Sequence, residues 1–407
     1  MEVKPGYKQT EVGVIPEDWR VRKLATIATQ ITDGDHLTPE RTREGFYLLS
    51  ARNVRDGYLD LSDVDYVGPD EYKRMRQRCA PQAGDILISC SGHGLGRVSM
   101  VPEGLQCVLV RSAALVKFDR KIADSGFIHF WLRSPHAQQQ IAIQLSRAAQ
   151  PNLFLNNIEQ LVSPLPPTRA EQEAIAGALS DADALIESLE QLVAKKGQVK
   201  HGAMQELLTG RKRLPGFTGE WETKRFGEVA QPRMDRVDPR RSGPFEYCVE
   251  LEHIEQGTGR LLGFTITDES SSLKSIFRPR DVLFGKLRAY LRKYWLADRD
   301  GVCSTEVWVL TPRAGLVAHE FLFHLVTVDR FIEAASTAYG THMPRSDWNV
   351  VKNFQVLLPS LPEQQAIAAV LSDMDAEVAA VETRLAKARQ VKQGMMQELL
   401  TGRIRLV

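Results

Sequence analysis

Two stretches of the chain carry apolar residues at steps of three and four. In the first these are Ile186, Leu189, Val193, Val199, Ala203 and Leu207; in the second, Val378, Val381, Leu385, Ala388, Val391, Met395 and Leu399. Such steps place side chains on one stripe of an α-helix. The surrounding residues are rich in Ala, Leu, Glu, Gln and Lys, with Pro166 and Pro167, or Pro362, just before and Gly210 or Gly402 just after, as helix boundaries require. Ser180-Asp-Ala-Asp183 and Ser372-Asp-Met-Asp375 look like capping boxes, which predicts a short first helix that restarts as a longer one. Elsewhere the period changes. Short β-type runs such as Asp85-Ile-Leu-Ile-Ser89 and Asp281-Val-Leu-Phe284 alternate with Gly, Pro and Asp turn signals and a few helical segments, which reads as α+β.

The two helical stretches are copies of one element. Thr168–Leu214 aligns without a gap onto Ser360–Leu406, with Glu171 matching Glu363 and Arg211 matching Arg403, and more than half of the positions are identical. Shared helical composition does not produce such agreement; an internal duplication does. Between the copies lie two unlike globular stretches, opened by Trp19 and Trp221 in loosely matching phrases. The predicted order is a domain over residues 1–165, a helical spacer over 166–212, a second domain over 213–359 and a second spacer over 360–407. Similar stripes on two similar halves bury each other most simply as an antiparallel pair, giving a spacer of roughly 40 Å at about 1.5 Å per residue. For one copy alone, a helix lying on its own domain explains the stripe equally well.

Composition narrows the function classes. Hydrophobic residues make up 43% of 407, enough for two cores. Fifty-two basic against 51 acidic side chains leave a net charge of +1, so any nucleic-acid surface must be local. The five cysteines are scattered without a CxxC pair, which fits neither a disulfide framework nor a zinc cluster and points to a reducing cytoplasm. The N-terminus has no apolar core of a leader, and no run approaches the roughly 18 apolar residues that span a bilayer, so neither export nor a membrane is expected.

Several phrases carry a resemblance: Ile15-Pro-Glu-Asp-Trp19, Ile31-Thr-Asp-Gly-Asp-His36, Asp281-Val-Leu-Phe-Gly-Lys-Leu-Arg288, Gly301-Val-Cys-Ser-Thr-Glu306 and Leu361-Pro-Glu-Gln-Gln-Ala-Ile367. In this order, and with the last running into a duplicated helix, the chain resembles the specificity subunits of type I restriction-modification enzymes. The resemblance implies two α/β target-recognition domains separated by two long antiparallel helices of the conserved type, related by a pseudo-two-fold repeat. Each domain would read one half of a bipartite site in double-stranded DNA. The paired helices would set the gap and dock methyltransferase subunits, with a restriction and translocase subunit completing the assembly. S-adenosylmethionine, ATP and Mg would belong to those partners, with no cofactor in this chain.

DNA recognition needs cations for phosphates and forked or amide side chains for base edges. The second domain offers Arg278, Arg280, Lys286, Arg288, Arg292 and Lys293 with Tyr290 and Tyr294 interleaved, against the single acid Asp281, and a later loop, Tyr339–Arg345, with His342 and Arg345. A solvated strand and turn is the plain alternative. In the first domain the corresponding loop is Ser89–Arg97, with His93 and Arg97 at its rim; its alternating glycines also invite a nucleotide-cradle reading, but the spacing is not GxGxxG and strand residues follow. Asp33, Asp35 and His36 suit a turn or a DNA contact better than a metal site, with His36 the candidate contact, and Lys73, Arg74, Arg76 and Arg78 suit a solvated helix face as well as a contact. No GxxxxGK[ST] phosphate loop and no Asn/Asp-Pro-Pro-aromatic methylase box occurs, so catalysis is expected in partners. Two rivals stand beside this reading: a nucleotide-dependent enzyme using the Gly92–Gly96 loop, and a helical structural adaptor without DNA sequence preference.

Overall fold

The computed structural model describes residues 4–146, 152–268, 272–337 and 344–406. It divides into two compact units, Met1–Leu189 with Arg384–Val407, and Glu190–Thr383. Two helices, Arg169–Leu207 and Leu361–Leu399, each contribute one half to each unit. Both are unbroken. The predicted restart at Ser180 and Ser372 does not occur, because the acids read as caps are used sideways: Asp183 takes ion pairs from Arg133 and Lys392, and Asp375 takes one from Lys200. With 39 residues at about 1.5 Å each, either helix runs about 58 Å, longer than the spacer expected.

In the first unit, an antiparallel sheet has the order Ala28–Asp33, Ala113–Phe118, Ile86–Ser89, Val98–Met100. In the second, Ala230–Pro232, Val307–Pro312, Val282–Gly285 and Tyr294–Leu296 repeat that order and those directions. The neighbouring sheet has diverged. Both units keep a parallel pair, Phe46–Leu49 with Cys107–Leu109 and Cys248–Val249 with Gly301–Ser304. The antiparallel strand Asp65–Val67 joins the earlier member of its pair, whereas Lys274–Phe277 joins the later. Period-two alternation cannot show this, since it gives a strand's faces and not its neighbours.

The core of the first unit packs Trp19, Phe127 and Trp131 against Ile175 and Leu179 of the first long helix, Leu399 at the end of the second and Leu400 just after it. The second unit packs Phe226, Phe321 and Phe331 against Leu207 and Leu208 and against Ile367 and Leu371. In both units the long helices run antiparallel. Lys196 and Lys200 meet Glu377 and Asp375 in the second unit; Asp183 meets Lys392 in the first. Of the predicted stripe, Leu189, Val381 and Leu385 are buried and Ile186, Val193 and Val378 half-buried. Val199 and Val391 are not part of it: they are 55% and 47% exposed, and Lys200 and Lys392 turn inward beside them to reach Asp375 and Asp183. A lysine's apolar stem serves at a helix interface when its ammonium finds an acid.

Identical polar residues build two matching corners. Glu363 is 1% exposed and accepts two hydrogen bonds from Arg213, at 2.6 and 2.7 Å, and one from Trp221 Nε1 at 3.2 Å. Its repeat partner Glu171, equally buried, accepts from Arg405, which also forks onto Asp18 at 3.1 Å for both bonds. Each arginine lies over the tryptophan that opens its unit, Arg213 over Trp221 and Arg405 over Trp19. The adjoining amides tie loops to helix starts. Gln172 accepts from Asp124 N at 2.7 Å and donates to Ile122 and Pro166 carbonyls; Gln364 accepts from Ala318 N at 3.0 Å and donates to Leu316 and Pro359. Gly402 must be glycine here: its φ is +67°, and a Cβ would sit 2.6 Å from Pro16. Two buried histidines also correspond, His129 in Ser125–Leu132 and His324 in His319–Leu325, their imidazoles pushed down by burial to about 3 and about 4.

Candidate nucleic-acid interface

In each unit the hairpin that closes the retained sheet carries a loop with one 3₁₀ turn. In the first unit it spans Cys90–Arg97 around Gly92–Gly94, and in the second Lys286–Lys293 around Ala289–Leu291. The sequence pairing of these two loops is therefore a topological equivalence. A second segment lies against each. Leu153 N donates to Cys90 O, and in the second unit Arg288 N donates to Pro344 O while Leu287 and Arg345 form a backbone bridge. Pro344 and Arg345 thus adjoin the basic run, from which sequence separation keeps them apart, and the rest of the 339–345 loop lies outside the described residues.

The glycines of the first loop have local reasons. Gly92 and Gly96 have φ of +80° and +77°, and a Cβ on Gly96 would meet Ile141 at 2.9 Å. The strand Val98–Met100 follows, with no helix N-terminus to hold a phosphate, so the loop is a hairpin and the nucleotide-cradle reading has no geometry behind it. Arg97 is half-buried and its side chain folds back over Gly94. His93 lies in the 3₁₀ turn, but its side chain is outside what is described. His36 is exposed at 2.7 Å from Asp33, whose other oxygen takes Arg78 at 2.6 Å. Burial opposes ionisation of Asp33, but the hydrogen bonds from Arg78 and His36 outweigh it and hold its carboxyl below the usual range. The Arg74 guanidinium meets Asp35 and Glu71, so two of the four cations of the 73–78 cluster are spent within the domain. No group of His, Cys, Asp and Glu among the described residues could hold a metal ion.

The second loop sorts the basic run. Arg280 forks onto Glu320 at 3.0 and 2.9 Å, Arg292 bonds Asp329, and Arg345 bonds Glu306 at 2.9 Å. Lys293 is structural, its Nζ donating to the Leu251 and Ile254 carbonyls at 2.7 and 3.0 Å. These four, predicted as free contacts, have acids or carbonyls of their own. Lys286 and Arg288 have no side-chain partner among the described residues, and Tyr290, within the 3₁₀ turn, is 53% exposed. Arg288 and Arg292 flank the 3₁₀ turn with φ of 54° and 51°, and Arg280 has 69°; these are the non-glycine residues with positive φ among those described. An L-residue held there costs of order 1–3 kcal/mol and marks a backbone fixed by its surroundings. The turn thus projects Arg288 and Tyr290 outward from a rigid base. His342 lies outside the described residues.

All five cysteines are buried; burial pushes the thiols of Cys79, Cys90 and Cys107 up to about 12, which makes them poor nucleophiles. No helix of the described residues is long and apolar enough to cross a membrane.

Comparison with known proteins agrees with this layout. The family model described as the type I restriction modification DNA specificity domain matches twice, at residues 16–195 and 219–390. The MjaVIII specificity subunit of Methanocaldococcus jannaschii is 23% identical over 428 residues, covering 96% of this chain and 94% of that protein. The EcoBI specificity subunit of Escherichia coli is 28% identical over 225 residues, 52% of this chain and 44% of its own. Among solved structures, a type I restriction-modification S subunit from M. genitalium superposes with a TM-score of 0.60 at 13% identity over 98% of both chains. A second, from work on complex assembly and conformational transition of the type I R-M system, gives 0.55 at 18% identity over 96% and 99%. With two family domains on a duplicated helical frame, the chain belongs to the DNA-specificity subunits of type I restriction-modification systems.

Proposed function

We propose that each unit reads one half of a bipartite target in double-stranded DNA, and that the helices fix the unspecified gap and dock the methyltransferase subunits. The observation that carries this is that each unit pairs a retained antiparallel sheet and its hairpin loop with a neighbouring sheet that has diverged: a constant mount for a variable reader. In the second unit the reader's free groups are Lys286, Arg288 and Tyr290, a phosphate-type cation, a forked donor and an aromatic face on one loop. His36 and Arg97 are the candidates in the first. Adenine methylation, translocation and cleavage, with S-adenosylmethionine, ATP and Mg, belong in this reading to the modification and restriction subunits of a cytoplasmic complex. The layout 1–165, 166–212, 213–359 and 360–407 is its functional division.

Exchanging Gly13–Leu165 for the first domain of a relative tests the reading. Methylome sequencing is expected to show one half-site changed and the other kept; changes in both halves would overturn independent reading. Calorimetry of the isolated chain with S-adenosylmethionine and with ATP is expected to show no binding, and a saturable heat would revive the nucleotide-enzyme alternative.

A further inference from the structure

Each unit has a groove between the two long helices, and the grooves are lined by repeat-equivalent positions. That of the second unit is formed by Leu192, Lys195, Lys196, Val199, Met374 and Glu377. Advanced or set back by one repeat, these become Arg384, Lys387, Ala388, Val391, Ala182 and Leu185, all of which line the groove of the first unit. Two features are kept: an exposed valine, Val199 or Val391, and a lysine one turn before it, Lys195 or Lys387, neither lysine having a partner among the described residues. An exposed valine beside an unpaired cation, at the same place in both copies, does nothing for the fold of either unit. The remaining positions differ. The first groove is floored by Leu185, 51% exposed, and Ala388, with Leu189 and Met395 extending it. In the second, the equivalents are Glu377 and Lys196, joined by an ion pair of 2.6 Å.

We propose that the two grooves are unequal seats for one partner helix, which presents an apolar stripe flanked by acidic residues, the seat in the first unit binding it more tightly. The inference rests on the reading that the long helices dock modification subunits, and it adds which seat fills first and why. The kept lysine calls for an acid on the partner, and the kept valine calls for an apolar side chain beside it. Since both copies keep both, the same partner suits both seats. On the first seat it covers Leu185 and an alanine; on the second it must cover an ion pair and strip it of water, which returns little. Covering the exposed half of one leucine is alone enough for about a tenfold difference in Kd.

The test uses the full chain co-expressed with the modification subunit encoded beside it, followed by native mass spectrometry over a dilution series. A complex with two modification subunits is expected to lose one of them at concentrations at least about tenfold above those that release the other. K196A/E377L, which gives the second groove the character of the first, is expected to hold both subunits to the same dilution; a gain of affinity cannot come from misfolding. L185E/A388K is expected to weaken the first seat, with an unchanged thermal melt as the check on its fold. With all five native cysteines buried, V391C or V199C supplies a single exposed thiol, and maleimide labelling of the one-to-one complex is expected to be blocked at 391 and open at 199. Equal release of two subunits from the wild type, or no gain in K196A/E377L, would overturn the inequality while leaving docking intact. Failure of any modification subunit to bind would overturn the docking reading and this inference with it.

Discussion

Removing Arg213 is the sharpest test of how the second unit is held together. Glu363 is almost wholly inaccessible, and its charge is balanced by Arg213 through two short hydrogen bonds, with Trp221 adding a third donor. Breaking a buried ion pair from one side costs about 3–5 kcal/mol, since the remaining charge stays buried without compensation. Arg213 keeps 28% of its side-chain surface, so water already screens part of the pair, and about 2–3 kcal/mol is the expected loss for Arg213→Leu. For a unit of this size that is a fall in Tm of roughly 5–10 °C. The double variant R213L/E363L removes the stranded charge and leaves the Trp221 indole without its acceptor, a loss of about 1 kcal/mol, while the exposed Gly219 carbonyl that Arg213 also served can turn to water. Denaturant unfolding read by tryptophan fluorescence suits the comparison, because Trp221 sits against the Arg213 guanidinium. A single variant costing less than about 1 kcal/mol, or a double variant as unstable as the single, would refute the argument.

Other expectations follow from the same physics. His129 and His324 are neutral when folded and take up a proton on unfolding once the pH falls below the ordinary imidazole value. Stability should therefore fall from about pH 6.5 downward, by up to about 1.4 kcal/mol per pH unit for each, and H129Q with H324Q should flatten that slope in pH-dependent melts. At fixed salt, K286A and R288A should weaken specific DNA binding in mobility shifts with unchanged melts. K293A should lower the melt first, because its ammonium caps two carbonyls; the reverse pattern would invert the assignment. Inserting four residues after Lys196 and four before Glu377 lengthens both helices by about 6 Å in register across their ion pair, and methylome sequencing should show the half-sites kept and the gap one or two base pairs wider. Two residues at each place would turn the stripes by about 200° and should abolish activity. An unchanged gap would mean that the helices do not set it.

The duplication was legible because identity at fixed spacing does not depend on knowing contacts. What Glu171, Gln172, Glu363 and Gln364 do was not legible, since their partners Arg405, Asp124, Arg213 and Ala318 lie 46 to 234 residues away. Their identity in both copies was the available signal. A stripe chosen by hydrophobicity included Val199 and Val391 and passed over Lys200 and Lys392, because a lysine that buries its stem looks like surface in sequence. The basic run seemed nearly free of acids for a related reason. Glu320 and Asp329, which take Arg280 and Arg292, follow them by 40 and 37 residues and return through the fold. What local reading can find is a turn with unusual residues in it, and there Lys286, Arg288 and Tyr290 were already in view.

The corner at Arg405 bears on how the protein is made. Residues far along the sequence complete the first unit: Arg405 reaches Asp18 and Glu171, Gly402 packs on Pro16, and the Tyr7 hydroxyl donates to the Gly402 carbonyl. The second unit, by contrast, is one uninterrupted stretch of sequence. During synthesis the part begun second is complete first, and the part begun first waits, with Glu171 uncompensated and Leu399 and Leu400 missing from its core, until residues 399–405 have been made. A nonsense codon at position 399 would therefore damage the earlier-made unit and spare the later one. Only a chain translated through Arg405 can complete both units.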